Sequence, residues 1–235
     1  MALPFFYKED LDAAAADVVL DEDASKHIVQ VLRMQHGEKL QLTNGKGDIF
    51  TCEIFSDNRK KCVVRVFQRS RIPDPGSRIT IAISLIKNSS RFEWFLEKAT
   101  ELGVSEIIPL ICERTEKTAF KADRMKNILV SAMLQSQQCR LPVLTPPQKI
   151  QQVVASARHQ QKFIAHCIDS EKRSLSQMIN ESLSSKIILI GPEGDFTPAE
   201  IEQSLQNHFI AVALGETRLR TETAGIAAAS LLCLV

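Results

Sequence analysis

The chain has 235 residues, 44% hydrophobic and 24% charged, a globular composition that excludes a disordered or fibrous protein. Its 29 Lys and Arg against 28 Asp and Glu leave a net charge of +1, so any nucleic-acid surface must be a local patch. No apolar run approaches the roughly 20 residues that span a bilayer, and no Cys or His stands at zinc-ligand spacing, which excludes a membrane span and a metal motif.

Residues 1–10 lack a charged stretch followed by an apolar run and a small-residue cleavage site, so the expectation is a cytoplasmic protein with reduced thiols. Cys52 and Cys62 lie in apolar segments that could be neighbouring strands, which leaves a disulfide as the other reading. The first 72 residues are β-rich: Val18–Leu20, Lys39–Thr43, Ile49–Phe55 and Cys62–Phe67 read as strands. Asn44-Gly45-Lys46-Gly47-Asp48 reads as the turn between the second and third. A helix over Ala24–Met34 would place Ile28, Val31 and Leu32 on one face. Arg59, Lys60, Lys61, Arg65, Arg69 and Arg71 follow one another with no acid between Asn58 and Ile72. That run is either a solvated face or a phosphate footprint.

Ile72-Pro73-Asp74-Pro75-Gly76-Ser77 reads as a linker, dividing the chain into domains 1–72 and 73–235. After it strands and helices alternate: strand Arg78–Ile86, helix Ser89–Leu102 stopped by Gly103, strand Ile107–Cys112 and helix Asp123–Cys139. Strands Lys162–His166 and Lys186–Gly191, helix Pro198–Gln206, strand Ile210–Leu214 and helix Glu222–Leu234 complete the pattern. Apolar strands between helices predict a parallel sheet covered on both faces.

In such sheets ligands bind beyond the carboxyl ends of the strands, and two exit loops stand out. Gly191-Pro192-Glu193-Gly194-Asp195-Phe196-Thr197-Pro198 has Thr197 as a natural N-cap with Glu200 at the third helical position. It is either a ligand loop or a well-made strand-to-helix turn. Gly215-Glu216-Thr217-Arg218-Leu219-Arg220-Thr221-Glu222-Thr223-Ala224-Gly225 precedes an almost wholly apolar stretch, Ile226–Val235. Capping by Thr221 or Thr223 accounts for its hydroxyls and for Glu222. It leaves Arg218 and Arg220 unexplained, because cations are unfavourable at a helix N-terminus without an anion to offset them. Neither loop is a dinucleotide or P-loop fingerprint.

The same residues carry a family resemblance. Arg91–Val104, Ile107-Ile108-Pro109-Leu110, Glu113-Arg114-Thr115, Leu189–Gly194 and Leu214-Gly215 with Leu219–Ala224 resemble, in order, the motifs of the RsmE family. That family comprises small-subunit (16S) rRNA uridine-N3 methyltransferases of the SPOUT superfamily. The resemblance implies an α/β protein: a C-terminal trefoil-knot methyltransferase domain after a smaller N-terminal PUA-like β-barrel that binds RNA. It further implies S-adenosylmethionine as cofactor, held by His166, Ile190, Gly191, Gly194, Leu214, Gly215, Leu219, Thr223 and Ala224. The partners implied are small-subunit rRNA or the assembled subunit and a second copy of the chain, with the apolar final stretch as dimer face.

Arg220 is the expected charge-stabilising or substrate-orienting group, because a guanidinium offers two directed donors. Glu222 is the candidate base and Glu193 a loop-fixing acceptor. Arg33, Arg65, Arg69, Lys87 and Arg91 are the expected RNA contacts, and no metal is expected. Two departures from the family pattern stand out: Asp195 replaces a glycine, and Leu3-Pro4 replace an arginine ahead of Phe5-Phe6. The alternatives are ribose 2′-O methylation and an RNA-binding or assembly module without catalysis.

Overall fold

The computed structural model describes residues 3–11, 16–168 and 172–234. Met1, Ala2 and Val235, which the readings above include, lie outside the described residues. The chain forms two units, Met1–Pro75 with Met133–Leu141, and Gly76–Ala132 with Pro142–Val235.

The first unit is a five-stranded sheet of β1 (Phe5–Tyr7), β2 (Asp17–Val19), β3 (Lys39–Thr43), β4 (Asp48–Ser56) and β5 (Val63–Arg71), in the order β1-β3-β4-β5-β2. β1 pairs parallel with β3 and the remaining pairs are antiparallel. Alternation along the strands turns Leu40, Leu42, Cys52, Ile54 and Val64 inward onto Ile28 and Val18, all buried. Cys52 and Cys62 are both buried free thiols, so the disulfide reading is set aside.

The helix expected over Ala24–Met34 is shorter and changes pitch. Asp21 accepts from the Ala24 amide at 2.8 Å and starts α1 (Glu22–Lys26), which continues as a π-turn over His27–Val31. The Leu32 amide bonds the His27 carbonyl at 2.9 Å, an i→i+5 bond. The wider turn rotates later residues off the face that a 3.6-residue period assigns to them. Ile28 is buried as expected, whereas Val31 and Leu32 are exposed. Arg33 ends the turn with a left-handed φ of 57°.

The Asn44–Asp48 turn is more than a hairpin. Its Gly47 amide donates to the Cys139 carbonyl and its Gly45 carbonyl accepts from the Leu141 amide, each at 2.9 Å. Arg140 bonds the carbonyls of Lys46 at 3.3 Å and Ile72 at 2.8 Å. Gly47 has a φ of 96°, and a Cβ there would lie 2.6 Å from the Arg140 guanidinium. This docking also explains why the helix expected to reach Cys139 stops at Gln135.

In the second unit, β6 (Arg78–Ser84), β7 (Glu106–Ile111), β8 (Val143–Leu144), β9 (Gln148–Lys149), β10 (Gln161–Ala165), β11 (Arg173–Ser174), β12 (Ser185–Ile190) and β13 (Ile210–Ala213) form one sheet. The order is β11-β13-β10-β12-β6-β7-β8 with β9 also on β7, and every pairing is parallel. The helices are α2 (Ser89–Glu101), α3 (Ala122–Gln135), α4 (Ile150–Ser156), α5 (Leu175–Met178), α6 (Pro198–Gln206) and α7 (Thr221–Cys233). Val153, Val154 and Ile201 of α4 and α6 pack with Ala82, Ile164, Ile187 and Leu189 of the strands. α7 lies against β6, β12 and α2. Gly225 permits that approach, since a Cβ there would meet the Phe95 ring at 2.7 Å and Ile83 at 2.8 Å. Among the described residues no helix is long and apolar enough to cross a membrane.

Candidate active site

β13, β10 and β12 are neighbours, so their exit loops gather at one edge. Two adjoining pockets of about 270 Å³ and 390 Å³ open there, sharing Ala165, Cys167, Arg218, Leu219 and Ala224. Pro192, Asp195 and Arg220 border the first, while His166, Lys172 and Gly215 border the second. This is the place where open parallel sheets bind ligands.

The loop after β12 is fixed from below. Thr197 and Glu200 form a reciprocal capping box, with the Thr197 amide 2.8 Å from Glu200 Oε2. The other carboxylate oxygen accepts from the Glu113 amide at 2.9 Å, tying α6 to the segment after β7. Gly191 packs against the fully buried Phe196 ring, where a Cβ would stand 3.2 Å away. Arg114 Nη1 donates to the Gly194 carbonyl at 2.7 Å. Glu193 accepts from the Lys87 amide at 3.1 Å, the loop-fixing part expected of it.

Asp195, where the resemblance leads one to expect glycine, keeps a left-handed φ of 62°. Its Oδ2 accepts from the Cys167 amide and its Oδ1 from the Phe196 amide, each at 2.8 Å. One side chain thus links the β12 loop to the β10 loop. Lys172 Nζ donates to the His166 carbonyl at 2.8 Å and the Ile168 carbonyl at 2.6 Å, bracing the exit of β10. Burial pushes the His166 imidazole below the ordinary histidine range, Lys172 adds to the shift, and Asp195 opposes it.

After β13, Gly215 turns with a φ of 154° and the chain enters α7. Thr221 and Thr223 do not cap the helix: Arg220 occupies the N-cap position with no side-chain bond, and Thr221 is already helical. The start one residue earlier than expected leaves Arg220 at the pocket rim.

Of the residues expected at the cofactor, His166, Ile190, Gly191, Leu214, Gly215, Leu219 and Ala224 line the pockets, as does Arg220. Gly194 supports the loop through Arg114, and Thr223 is exposed on α7 outside both linings. Glu222 lines neither pocket; its side chain is buried, with Oε1 3.6 Å from Arg91 Nε and Oε2 without a partner. Cys167 and Arg218 also line the pockets, inside the exit loops that the resemblance assigned to the cofactor, whereas Lys172 is a lining residue that sequence reasoning did not name.

The expected RNA contacts divide between the units. Arg65 sits on the exposed sheet face paired with Asp17 at 2.8 Å, Arg69 lies 5.8 Å from the Phe50 ring, and Arg33 is exposed on its left-handed turn. Lys87 pairs with Glu116 at 2.7 Å, and Arg91 faces Glu222. Among the described residues no cluster of His, Cys, Asp and Glu could hold a metal ion.

Residues 73–233 match the model of an RNA methyltransferase domain, and residues 20–67 that of an RNA methyltransferase PUA domain. The chain is 30% identical to ribosomal RNA small subunit methyltransferase E of Bacillus subtilis, over 95% of this chain and 91% of that one. A probable rRNA-methyltransferase from Porphyromonas gingivalis superposes with a TM-score of 0.90 at 39% identity, covering 97% and 96% of the two chains. Ribosomal RNA small subunit methyltransferase E of Neisseria gonorrhoeae, solved bound to S-adenosyl methionine, gives 0.86 at 28%, covering 97% and 95%. With the pockets at the strand ends and both domain models matched in order, the chain belongs to the RsmE family of RNA methyltransferases.

Proposed function

We propose that the chain transfers a methyl group from S-adenosylmethionine to N3 of a uridine in small-subunit ribosomal RNA, with residues 1–72 engaging RNA and 73–235 performing the transfer. The observation that carries the reading is the paired pocket at the ends of β13, β10 and β12, with Arg220 at its rim. Its lining suits a ligand with apolar and charged parts: Ile190, Leu214, Leu219 and Ala224 offer apolar contact, and Lys172 and Arg218 offer cations.

When bound, S-adenosylmethionine supplies an electrophilic methyl on a sulfonium. The chain's own task is to align uridine, let the N3 proton leave and support negative charge on the uracil oxygens. Arg220 suits that support, because its guanidinium can donate to a carbonyl while α7 fixes its backbone. Glu222 faces Arg91 rather than the pocket, which favours a role in positioning the start of α7 over that of base. The half-buried and exposed stripe Thr223, Ile226, Ala227, Ser230 and Leu234 supports a homodimer through α7, checked by light scattering.

The test is radiolabelled methyl transfer onto unmodified small subunits, followed by reverse transcription. A methyl on N3 blocks the Watson–Crick edge, so label with a new strong stop is the expected result. Label without a stop would overturn N3 as the acceptor. Arg220→Ala should keep cofactor affinity and lose most turnover; wild-type turnover would remove Arg220 from the mechanism.

A further inference from the structure

Two phenylalanines stand apart from the other nine. Of the eleven, only Phe55 and Phe67 are exposed, at 50% and 51%. Each is the extra residue of a β-bulge. Ile54 pairs with Val64 and Ser56 with Val63, which leaves Phe55 unpaired on β4. Thr51 pairs with Gln68 and Cys52 with Val66, which leaves Phe67 unpaired on β5. A bulge interrupts the ladder and re-aims a side chain, and here adjacent strands each spend one on turning a ring to solvent.

Cations interleave with the rings. The Arg65 guanidinium lies 4.3 Å from the Phe55 centroid, and Lys39 Nζ lies 5.0 Å from that of Phe67. Arg65 is held in place by Asp17, through Nε at 2.8 Å and Nη2 at 3.3 Å. The His36 ring completes the row, 6.3 Å from Phe55. Along β5 the two bulges are about three residues apart, or about 10 Å, with Arg65 between them. A single exposed phenylalanine needs no explanation. Two, each at a bulge and each under a cation, form a surface of π faces interleaved with charge, in which Asp17 and Glu53, cross-strand neighbours of Arg65 and Lys39, offset part of the cationic charge.

We propose that this face is a stacking platform for unpaired nucleotides of the RNA substrate, a reading that rests on the RNA methyltransferase function proposed above. The occupant follows from the chemistry. An apolar peptide has no use for the cations, and an acidic one has none for the rings. A duplex hides its base faces, whereas a single strand presents both bases and phosphates. Bases stack on the phenyl rings or on the Arg65 guanidinium, and Lys39 meets the backbone.

The test uses the full chain and fluorescence anisotropy with a short unstructured oligouridine and a duplex of equal length, across a salt series. Phe55→Ala/Phe67→Ala should weaken single-strand binding about fivefold or more per lost stack, with the salt slope unchanged. Phe55→Trp/Phe67→Trp should restore it, and Lys39→Ala should flatten the slope instead. Cofactor affinity and melting temperature serve as controls for folding. Equal loss on single strand and duplex, or no loss in the double alanine variant, would overturn the platform. So would a wild-type chain that self-associates through this face and loses only that association in the variant. A wild-type chain that binds neither RNA would overturn the function itself, a distinct result.

Discussion

Asp195 offers the most incisive test of how the cofactor pocket is held. Its carboxylate spans 28 residues of sequence to bond the Cys167 amide, and it does so from a left-handed backbone with φ of 62°. A hydrogen bond to a charged group contributes about 1.5–3 kcal/mol, and a left-handed conformation costs a residue with a Cβ about 1–2 kcal/mol. Asp195→Gly relieves the strain but loses the bonds to Cys167 and Phe196, for a local loss of about 1–5 kcal/mol. Asp195→Asn tolerates the backbone and keeps one acceptor, so its loss is about 1 kcal/mol. Asp195→Ala keeps the strain and loses both bonds, which makes it the worst of the three. Because the loss falls on the β10 loop, it surfaces as ordering that the cofactor must impose when it binds. S-adenosylmethionine affinity measured by calorimetry should therefore fall in the order wild type, Asn, Gly, Ala, with Gly weaker by at least about 5-fold. Hydrogen exchange at the Cys167 amide should quicken in the same order. A glycine variant with wild-type affinity and an equally protected Cys167 amide would refute the reasoning.

The remaining predictions concern packing, thiols and pH. Gly225→Ala gains about 1 kcal/mol of helix propensity but drives a methyl into the buried Phe95 ring, so the net loss should be about 1–2 kcal/mol. Chemical denaturation reads this directly, and an unchanged midpoint would show that α7 lies farther from α2 than described. Burial pushes the Cys52 and Cys112 thiols up to about 12 and those of Cys62 and Cys233 up to about 11, whereas Cys167 is exposed at the pocket. One thiol, Cys167, should thus react fast with a disulfide reagent at neutral pH, and S-adenosylmethionine should protect it. Labelling spread over several cysteines would contradict that burial.

His159 is lowered by burial, opposed by Glu106 and reinforced by Lys162. Its folded form takes up a proton less readily than the unfolded chain, so its share of stability is complete above the ordinary histidine range and is lost as pH falls through the folded value. The melting temperature should drop on acidification below neutrality, and His159→Gln should shrink that drop.

Much of the second unit could be read from residues alone because its signals are local. Pro198–Gln206 was placed without error, since Thr197, Pro198 and Glu200 together spell a helix start. The strands were placed to within a residue or two, because buried parallel strands are short apolar runs. β8, β9 and β11 escaped notice, being two residues each and defined only by their neighbours. In the first unit the π-turn defeated the 3.6-residue period at Val31 and Leu32. At the site, the glycines and Arg220 were legible as motif residues and Cys167 and Arg218 as members of their loops, but Lys172 gains meaning only when three distant loops converge. Asp195 was visible as a departure from pattern, whereas its bond to Cys167 was not. The two bulges that expose Phe55 and Phe67 arise from pairing register, which no single strand encodes.

The segment Met133–Leu141 belongs to the first unit although the stretch Gly76–Ala132 of the second precedes it in the chain. During translation the turn at Gly45 and Gly47 is therefore made long before Cys139, Arg140 and Leu141 exist to engage it. From residue 75 to residue 141 the ribosome adds 66 residues, which takes about 3–13 s at about 5–20 residues per second. Over that interval the nascent first unit carries an unpaired Gly47 amide and Gly45 carbonyl, while β6, α2 and β7 are already emerging. The unit that is synthesised first is completed only after much of the second has been made. A fragment cut after Pro75 would be arrested at that same unfinished stage.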